Sequence, residues 1–407
     1  MGRESAGDAR DARLRAALRM EGSYRKPRSL GSNGAVERVL SDMTETREYR
    51  PLHVLMLGPT LDVQGGVSAV ERLIVEHVPD GIRLRLLPTS AQTGNLGKLL
   101  YFLPAYLRFL FALLTTRVDV VHMHFSIQAS MWRKSLCVPL AKLFRKPVIL
   151  HAHAGGFPEY LASRPAWQQR WFLRTLRRAD ALVVLSEAWR TYYLDLTGLP
   201  EERVHALPNP LRLPAVVPDR RNRPTVTLVF LGRMDDNKGP VRILGAVARL
   251  SDTIRAKVRL LMAGDGEVQA VRKAAESLGL QGQAVIEDWV SPERRDQLLA
   301  DGDVFVLPSK AEGMPMSLLE ALAWGLPVVT SPVGGIPEVV QHGESGFLVP
   351  PTDEETISDA IERLVLDEPL RLRMGAAARA AAGRFDIARY WAHLEGIYYG
   401  ALQRRKQ

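Results

Sequence analysis

The sequence predicts an α/β protein built from two doubly wound, parallel-sheet domains that face each other across a cleft. Three observations carry this expectation. Short apolar runs of strand length alternate with stretches whose apolar residues recur at helical spacing. A proline-rich segment near the middle interrupts the alternation, which then restarts. The chain, at 407 residues, is also too long for a single hydrophobic core.

Residues 1–49 mix charge, Gly and Ser without sustained apolar periodicity, and read as a disordered basic extension. A first domain is expected over 50–210. It opens with the apolar run "HVLMLGP" (53–59), followed by Gly65-Gly66 and a segment of helical spacing, "QGGVSAVERLIVEHV". "VDVVHMHF" (118–125), "PVILHAHAGG" (147–156) and "ADALVVLS" (179–186) are its further strand candidates. "VHALPNPLRLPAVVPDRRNRP" (204–224) carries five prolines and suits a linker. A second domain over 211–386 then repeats the pattern in "VTLVFLG" (226–232), "VRLLMAG" (258–264), "AVIEDWV" (284–290), "DVFVLPS" (303–309) and "PVVTSPVGG" (327–335). A last helix at about 387–405 bears Tyr390, Trp391, Leu394, Ile397, Tyr398 and Leu402 as one stripe, and is expected to pack back on the first domain. In such folds ligands bind outside the carboxyl ends of the strands, so those ends should line the cleft.

With 46% hydrophobic and 24% charged residues the composition is globular. A single cysteine, Cys137, excludes an internal disulfide framework and fits a reducing compartment. The first fifty residues hold no apolar run of the secretory type. A net charge of +9 points to nucleic acid, an anionic membrane surface or phosphorylated substrates. No RNA-binding signature, zinc-finger spacing or interleaved basic-aromatic pattern accompanies it, which argues against nucleic acid.

Four places carry candidate chemistry. "GRMDDNKG" (232–239) follows a strand, and Arg233 and Lys238 there suit a diphosphate, a planar fork beside a point charge. A solvated loop is the plain alternative. Gly66, after Gly65, opens a helix whose bare amides and dipole suit an anion, although many strand-to-helix turns need a glycine for geometry alone. "SKAEGMPMSLLEALAWGLPVV" (309–329) sets Glu312 and Glu320 into an apolar run. Ser317 to Glu320 has the spacing of a capping box, and Glu312 alone would pass for a surface carboxylate. Finally, "HMH" and "HAH" place His122 with His124, and His153 with its neighbour two before it, on one strand face each. No carboxylate or cysteine cluster stands near them in sequence, so no metal site is expected. "DGD" (301–303) imitates a metal motif, but Asp303 opens a buried strand and both carboxylates belong to the turn entering it.

Together these segments resemble the retaining glycosyltransferases of family 4, with the GT-B fold. "AEGMPMSLLEALAWGLPVV" is similar to that family's E-x7-E segment. "GRMDDNKG" resembles its G-R-x5-K-G strand end, with four residues between Arg233 and Lys238. "VILHAHAGGF" is similar to its histidine-bearing strand end, and "SGFLVPPTD" (345–353) to the segment closing the donor site. The likeness covers about residues 52–400, and one departure is "EDWV", where Asp288 replaces the expected glycine.

The resemblance implies that Glu320 binds the ribose hydroxyls of a nucleoside-diphosphate sugar and that Arg233 and Lys238 neutralise the leaving diphosphate. Glu312 and the donor-binding residues after it, Gly313, Met314, Met316 and Ser317, would hold the sugar near its anomeric centre. His153 would meet the sugar from the other domain, and Gly66 would lie near the diphosphate. Fixed cations would replace a metal, so no cofactor is expected.

On the acceptor side, "GKLLYFLPAYLRFLFALLTTR" (97–117) contains Pro104 and Arg108 and is too marginal to span a membrane. A core helix and a helix lying in the membrane interface both fit it. The basic stretch "WRKSLCVPLAKLFRK" (132–146) suits anionic lipid or a solvated face. The resemblance to bacterial exopolysaccharide and lipid-linked oligosaccharide enzymes implies a peripheral protein on the cytoplasmic face of the plasma membrane, with a glycan or polyprenyl-diphosphate-linked acceptor. Nucleotide-sugar 2-epimerases share the fold but not the E-x7-E segment. A non-catalytic nucleotide-sugar-binding regulator would not need Arg233 and Lys238.

Overall fold

The computed structural model of the protein describes residues 50–93 and 95–405, so the extension expected over 1–49 lies outside the described residues. Among the described residues twelve strands form two six-stranded sheets in which every pairing is parallel. The first holds β1 (Leu52–Pro59), β2 (Ile82–Ser90), β3 (Val120–Phe125), β4 (Val148–Ala152), β5 (Ala181–Val184) and β6 (Val204–Ala206), in the order β2-β1-β3-β4-β5-β6. The second holds β7 (Val226–Leu231), β8 (Val258–Ala263), β9 (Ala284–Glu287), β10 (Val304–Leu307), β11 (Val328–Thr330) and β12 (Gly346–Leu348), in the order β12-β11-β10-β7-β8-β9. The central strands β3, β4, β5, β7 and β10 are buried at every position, as uninterrupted apolar runs require when helices cover both faces of a sheet. Strand order reverses between β1 and β3 in the first sheet and between β7 and β10 in the second, and these switch points are where a doubly wound sheet leaves a crevice.

Each face of the first sheet has its own core. Leu55, Leu57, Val121, Met123 and Leu150 pack under the helices Asn95–Thr115 and Ala129–Leu143. Val54, Met56, Val120 and Ile149 point the other way, toward the helix Gly66–Glu76 and the last helix, Ile387–Gln403. That last helix buries Tyr390, Trp391, Leu394, Ile397 and Tyr398 on the first sheet. The chain therefore crosses between the domains twice. The crossings run side by side: Leu211 N–H donates to Phe385 O (2.8 Å) and Ile387 N–H to Leu211 O (3.1 Å).

The helix Asn95–Thr115 is a core helix with a second, exposed apolar face. Phe102, Ala105, Phe109, Ala112 and Leu113 are buried in the core, while Leu100, Leu103, Leu107, Phe111 and Leu114 are each 58–66% exposed along the opposite face. No helix among the described residues is long and apolar enough to cross a membrane. The basic stretch that follows is less available than its composition suggests. Lys134 is buried against Thr89 (2.6 Å), and Lys142 is paired with Asp180 (2.5 Å).

Candidate functional site

The loop after β7 is shaped by its own side chains and by the loop after β10. Asp235 Oδ1 accepts from Lys238 N–H (3.0 Å), turning the chain into the helix Pro240–Ala248. Asn237 bonds the backbone of Ala311 through both ends of its amide (3.0 and 3.1 Å) and gives its carbonyl to Lys310 N–H (2.8 Å). Lys310 and Arg242 both hold Asp236, at 2.6 and 2.8 Å. These contacts close the crevice wall at the β7/β10 switch point, and they bring the Lys238 ammonium onto the Glu312 carboxylate. Glu312 is 7% and Lys238 22% exposed, so the pair is largely withdrawn from water yet still open on one side.

Backbone fills the space around Glu312. A Cβ on Gly155, in the first domain, would come within 2.1 Å of the Glu312 carbonyl carbon, and one on Gly313 within 2.8 Å of His153 O. Only glycine lets the turn after β4 touch the turn after β10 this closely. The contact places half-buried His153 on the first-domain wall beside Gly313. Burial pushes the His153 pKa down to about 3, so its imidazole is neutral, and His124 Nδ1 shares a hydrogen bond with its Nε2 (2.8 Å).

The helix Met316–Ala323 starts directly after Pro315, and no side chain caps it. Ser317 therefore sits inside its first turn rather than before it, and the capping-box alternative for Glu320 does not hold. The first amides of this helix, those of Met316 and Ser317 among them, lack intrahelical partners and form an anion-receptive end. Gly66 lies opposite, its α-carbon facing the Met316 side chain across the cleft. Met314 gives its carbonyl to Asn209 Nδ2 (2.8 Å). One turn into the helix, Glu320 meets Arg295 of the helix Pro292–Asp301 at 2.7 Å. Burial raises the Glu320 carboxyl above the usual range, Asp296 adds to this, and Arg295 opposes it.

Beside these groups lies a cavity of about 400 Å³ between the domains, lined by Gln64 from the first and by Gly264, Gly266, Val268, Asp288 and Trp289 from the second. Arg233 stands at its rim: its Cγ abuts Gly266, its side chain is 64% exposed, and its guanidinium lies 3.6 Å from Asp235. The structure thus joins Lys238 to Glu312 directly, sets His153 and Gly313 beside Glu312 and Gly66 against Met316, and leaves Arg233 reaching into solvent. "DGD" is a structural turn. Asp303 accepts from Thr227 N–H (2.8 Å) and pairs with Arg223 (3.1 Å).

Two family models match the chain and together span most of it: Glycosyltransferase Family 4 over residues 64–213 and Glycosyl transferases group 1 over 219–381. The chain belongs to glycosyltransferase family 4. Among curated relatives, the α-D-kanosaminyltransferase of Streptomyces kanamyceticus is 27% identical over 286 residues, 64% of this chain and 72% of that one. An exopolysaccharide phosphotransferase of Streptomyces coelicolor is 32% identical over 230 residues, 53% of this chain but 23% of its own length. Among solved structures, Anabaena HepE in complex with UDP-glucose superposes with a TM-score of 0.69 at 19% identity, covering 85% of this chain and 98% of that one. The two facing parallel sheets are the GT-B architecture these structures share.

In this glycosyltransferase several residues of the candidate site escape sequence reasoning. Arg295 lies in "PERRDQ", which by composition is a solvated helix face, and only its tertiary position beside Glu320 singles it out. Gln64, Asp288 and Trp289 line the cavity without any motif of their own. The "EDWV" departure therefore falls on a wall of the site, where Asp288 is held by Arg272 (3.0 Å).

Proposed function

We propose that this glycosyltransferase moves a sugar, with retention and without a metal, from a nucleoside-diphosphate sugar to a lipid-linked glycan acceptor in cell-surface polysaccharide synthesis. The observation that carries the proposal is the Lys238–Glu312 pair at the β7/β10 switch point, open on one side and flanked by Glu320 and an uncapped helix end. As the glycosyl–phosphate bond lengthens, negative charge grows on the diphosphate and positive charge on the sugar. Lys238, Arg233 swinging in from solvent, and the amides of Met316 and Ser317 stabilise the first, each strongest where the charge develops. Glu312, Gly313 and neutral His153 hold the sugar, with the Glu312 carboxylate close to its anomeric face. Retention follows from same-face attack guided by the departing phosphate. Glu320 takes the ribose hydroxyls, which replace part of its contact with Arg295, and the cavity at Trp289 receives the base.

Membrane docking belongs to the same proposal. The stripe Leu100, Leu103, Leu107, Phe111 and Leu114, with exposed Arg108 among its side chains, has the apolar face and the charge that suit an anionic leaflet. Catalysis would then occur on the cytoplasmic face, where a polyprenyl-diphosphate acceptor presents its head group. GDP- and UDP-sugars are the donors to be tried first, in the presence of detergent extracts of polyprenyl-linked glycans. Release of nucleoside diphosphate and an α-linked product by NMR from an α-linked donor support the proposal. Inversion of the linkage, or sugar epimerised without transfer, sinks it.

A further inference from the structure

We propose that the first domain holds a divalent transition-metal ion of the zinc class, bound by one ring nitrogen each of His122, His124 and His151. His122 and His124 lie two apart on β3 and share a face, and His151 is paired with His124 across β4. One ring nitrogen from each lies within 4.8 Å of the other two. All three side chains are at most 1% exposed.

The hydrogen bonding has the pattern a metal requires. His122 Nδ1 is bonded to Tyr398 Oη (2.8 Å) and His124 Nδ1 to His153 Nε2 (2.8 Å). Metal-bound imidazoles engage their second nitrogen in this way, which fixes the tautomer and the ring orientation. What remains is His122 Nε2, His124 Nε2 and both nitrogens of His151, buried and without partners. A buried polar atom left unpaired costs about 1–3 kcal/mol, so four of them within one cluster of rings need a partner. Neutral imidazoles offer lone pairs there, and a cation is the partner that satisfies several at once.

A further unpartnered polar group borders the cluster. Glu71, from the helix Gly66–Glu76, is fully buried with neither carboxylate oxygen hydrogen-bonded, and its Oε1 lies 3.8 Å from His124 Nδ1. The Lys134 ammonium gives its hydrogen bond to Thr89. Imidazole favours zinc, copper, nickel or iron over magnesium or calcium. At bond lengths of about 2.0–2.1 Å the three nitrogens would sit closer than they do here, and rotation of the rings about their side-chain torsions would draw them in. The ion would tie β3 and β4 to the last helix through Tyr398. It lies one imidazole behind His153, so it takes no part in the metal-free transfer proposed above.

The test uses the full-length protein. Wild-type protein purified without chelator is expected to carry about one zinc-class ion per chain, to lose thermal stability on chelation, and to show visible ligand-field bands when reloaded with cobalt(II). His151→Phe gives a second readout whose sign discriminates. With a metal present it removes a ligand, lowers metal content at least tenfold and lowers Tm. Without one it deletes two unpartnered buried nitrogens and raises Tm. A metal-free wild type that gives no cobalt spectrum, or a Tm that rises in His151→Phe, overturns the proposal. Both readouts are independent of transfer activity.

Discussion

Replacing Lys238 by Met removes the ammonium from Glu312 while keeping most of the side-chain volume. Glu312 is 7% exposed, so the substitution leaves a nearly buried carboxylate without its cation. Removing one member of a buried ion pair costs about 3–5 kcal/mol, and because the Lys238 side keeps 22% exposure, water reaching the carboxylate should hold the cost to about 2–3 kcal/mol. At about 2–4 °C per kcal/mol for a domain of this size, Tm should fall by roughly 4–12 °C. Adding Glu312→Gln removes the stranded charge and should return most of that loss, giving a coupling of about 1–3 kcal/mol. Turnover should behave differently. Lys238→Met loses a group that stabilises charge on the leaving diphosphate, a fall of ~10²–10³-fold, and the double variant should not recover it. Thermal denaturation and initial rates of nucleoside-diphosphate release, measured on the two single variants and the double, separate the effects. Recovery of turnover together with stability in the double variant would refute a catalytic role for Lys238 and leave the pair as a structural clasp.

Further outcomes are expected. Glu320→Gln should weaken nucleoside-diphosphate binding by about tenfold or more, the scale of a hydrogen bond to a charged group, read by isothermal titration calorimetry. Its effect on stability has the opposite sign. Burial raises the Glu320 carboxyl in the folded state, so the wild type loses stability as pH rises from the usual carboxylate range through the raised value. The Tm of Glu320→Gln relative to wild type should therefore climb over that interval, and a flat difference would contradict the burial argument. The Cys137 thiol, fully buried and pushed up to about 11, should resist alkylation near pH 8 until denaturant unfolds the first domain; rapid labelling of native protein would show that the helix Ala129–Leu143 opens locally. Leu107→Glu with Phe111→Glu should abolish flotation with anionic vesicles while leaving Tm unchanged, because both side chains are already in solvent. Retained flotation would remove the docking role from that stripe.

The two-domain fold was legible because β1, β3, β4, β7, β8 and β10 are dense apolar runs, and burial of both faces writes itself directly into such residues. β2 was not legible. It lies at a sheet edge, and its outward Arg83 and Arg85 break the apolar pattern. β6 and β12, three residues each, are too short to show any periodicity. The site was legible in its parts and not in its assembly. Lys238 and Glu312 are 74 residues apart, and nothing local announces that Asn237 stitches their loops together. Ser317 and Glu320 have capping-box spacing, but the helix begins at Met316, two residues too early for Ser317 to cap it. The histidines were visible as strand pairs; that β3 and β4 are neighbours, which makes one cluster of them, is a fact of topology.

The last helix, Ile387–Gln403, has a consequence for how the protein is made. Val54, Met56 and Val120 of the first sheet are covered by residues that leave the ribosome more than two hundred and fifty positions later. Vectorial synthesis therefore delivers the second domain, whose core is contiguous in sequence, before the first can be finished. Until Tyr390, Trp391 and Leu394 arrive, an apolar sheet face waits in water. Chaperone binding during translation, and aggregation of fragments that stop short of residue 387, should both trace to that face.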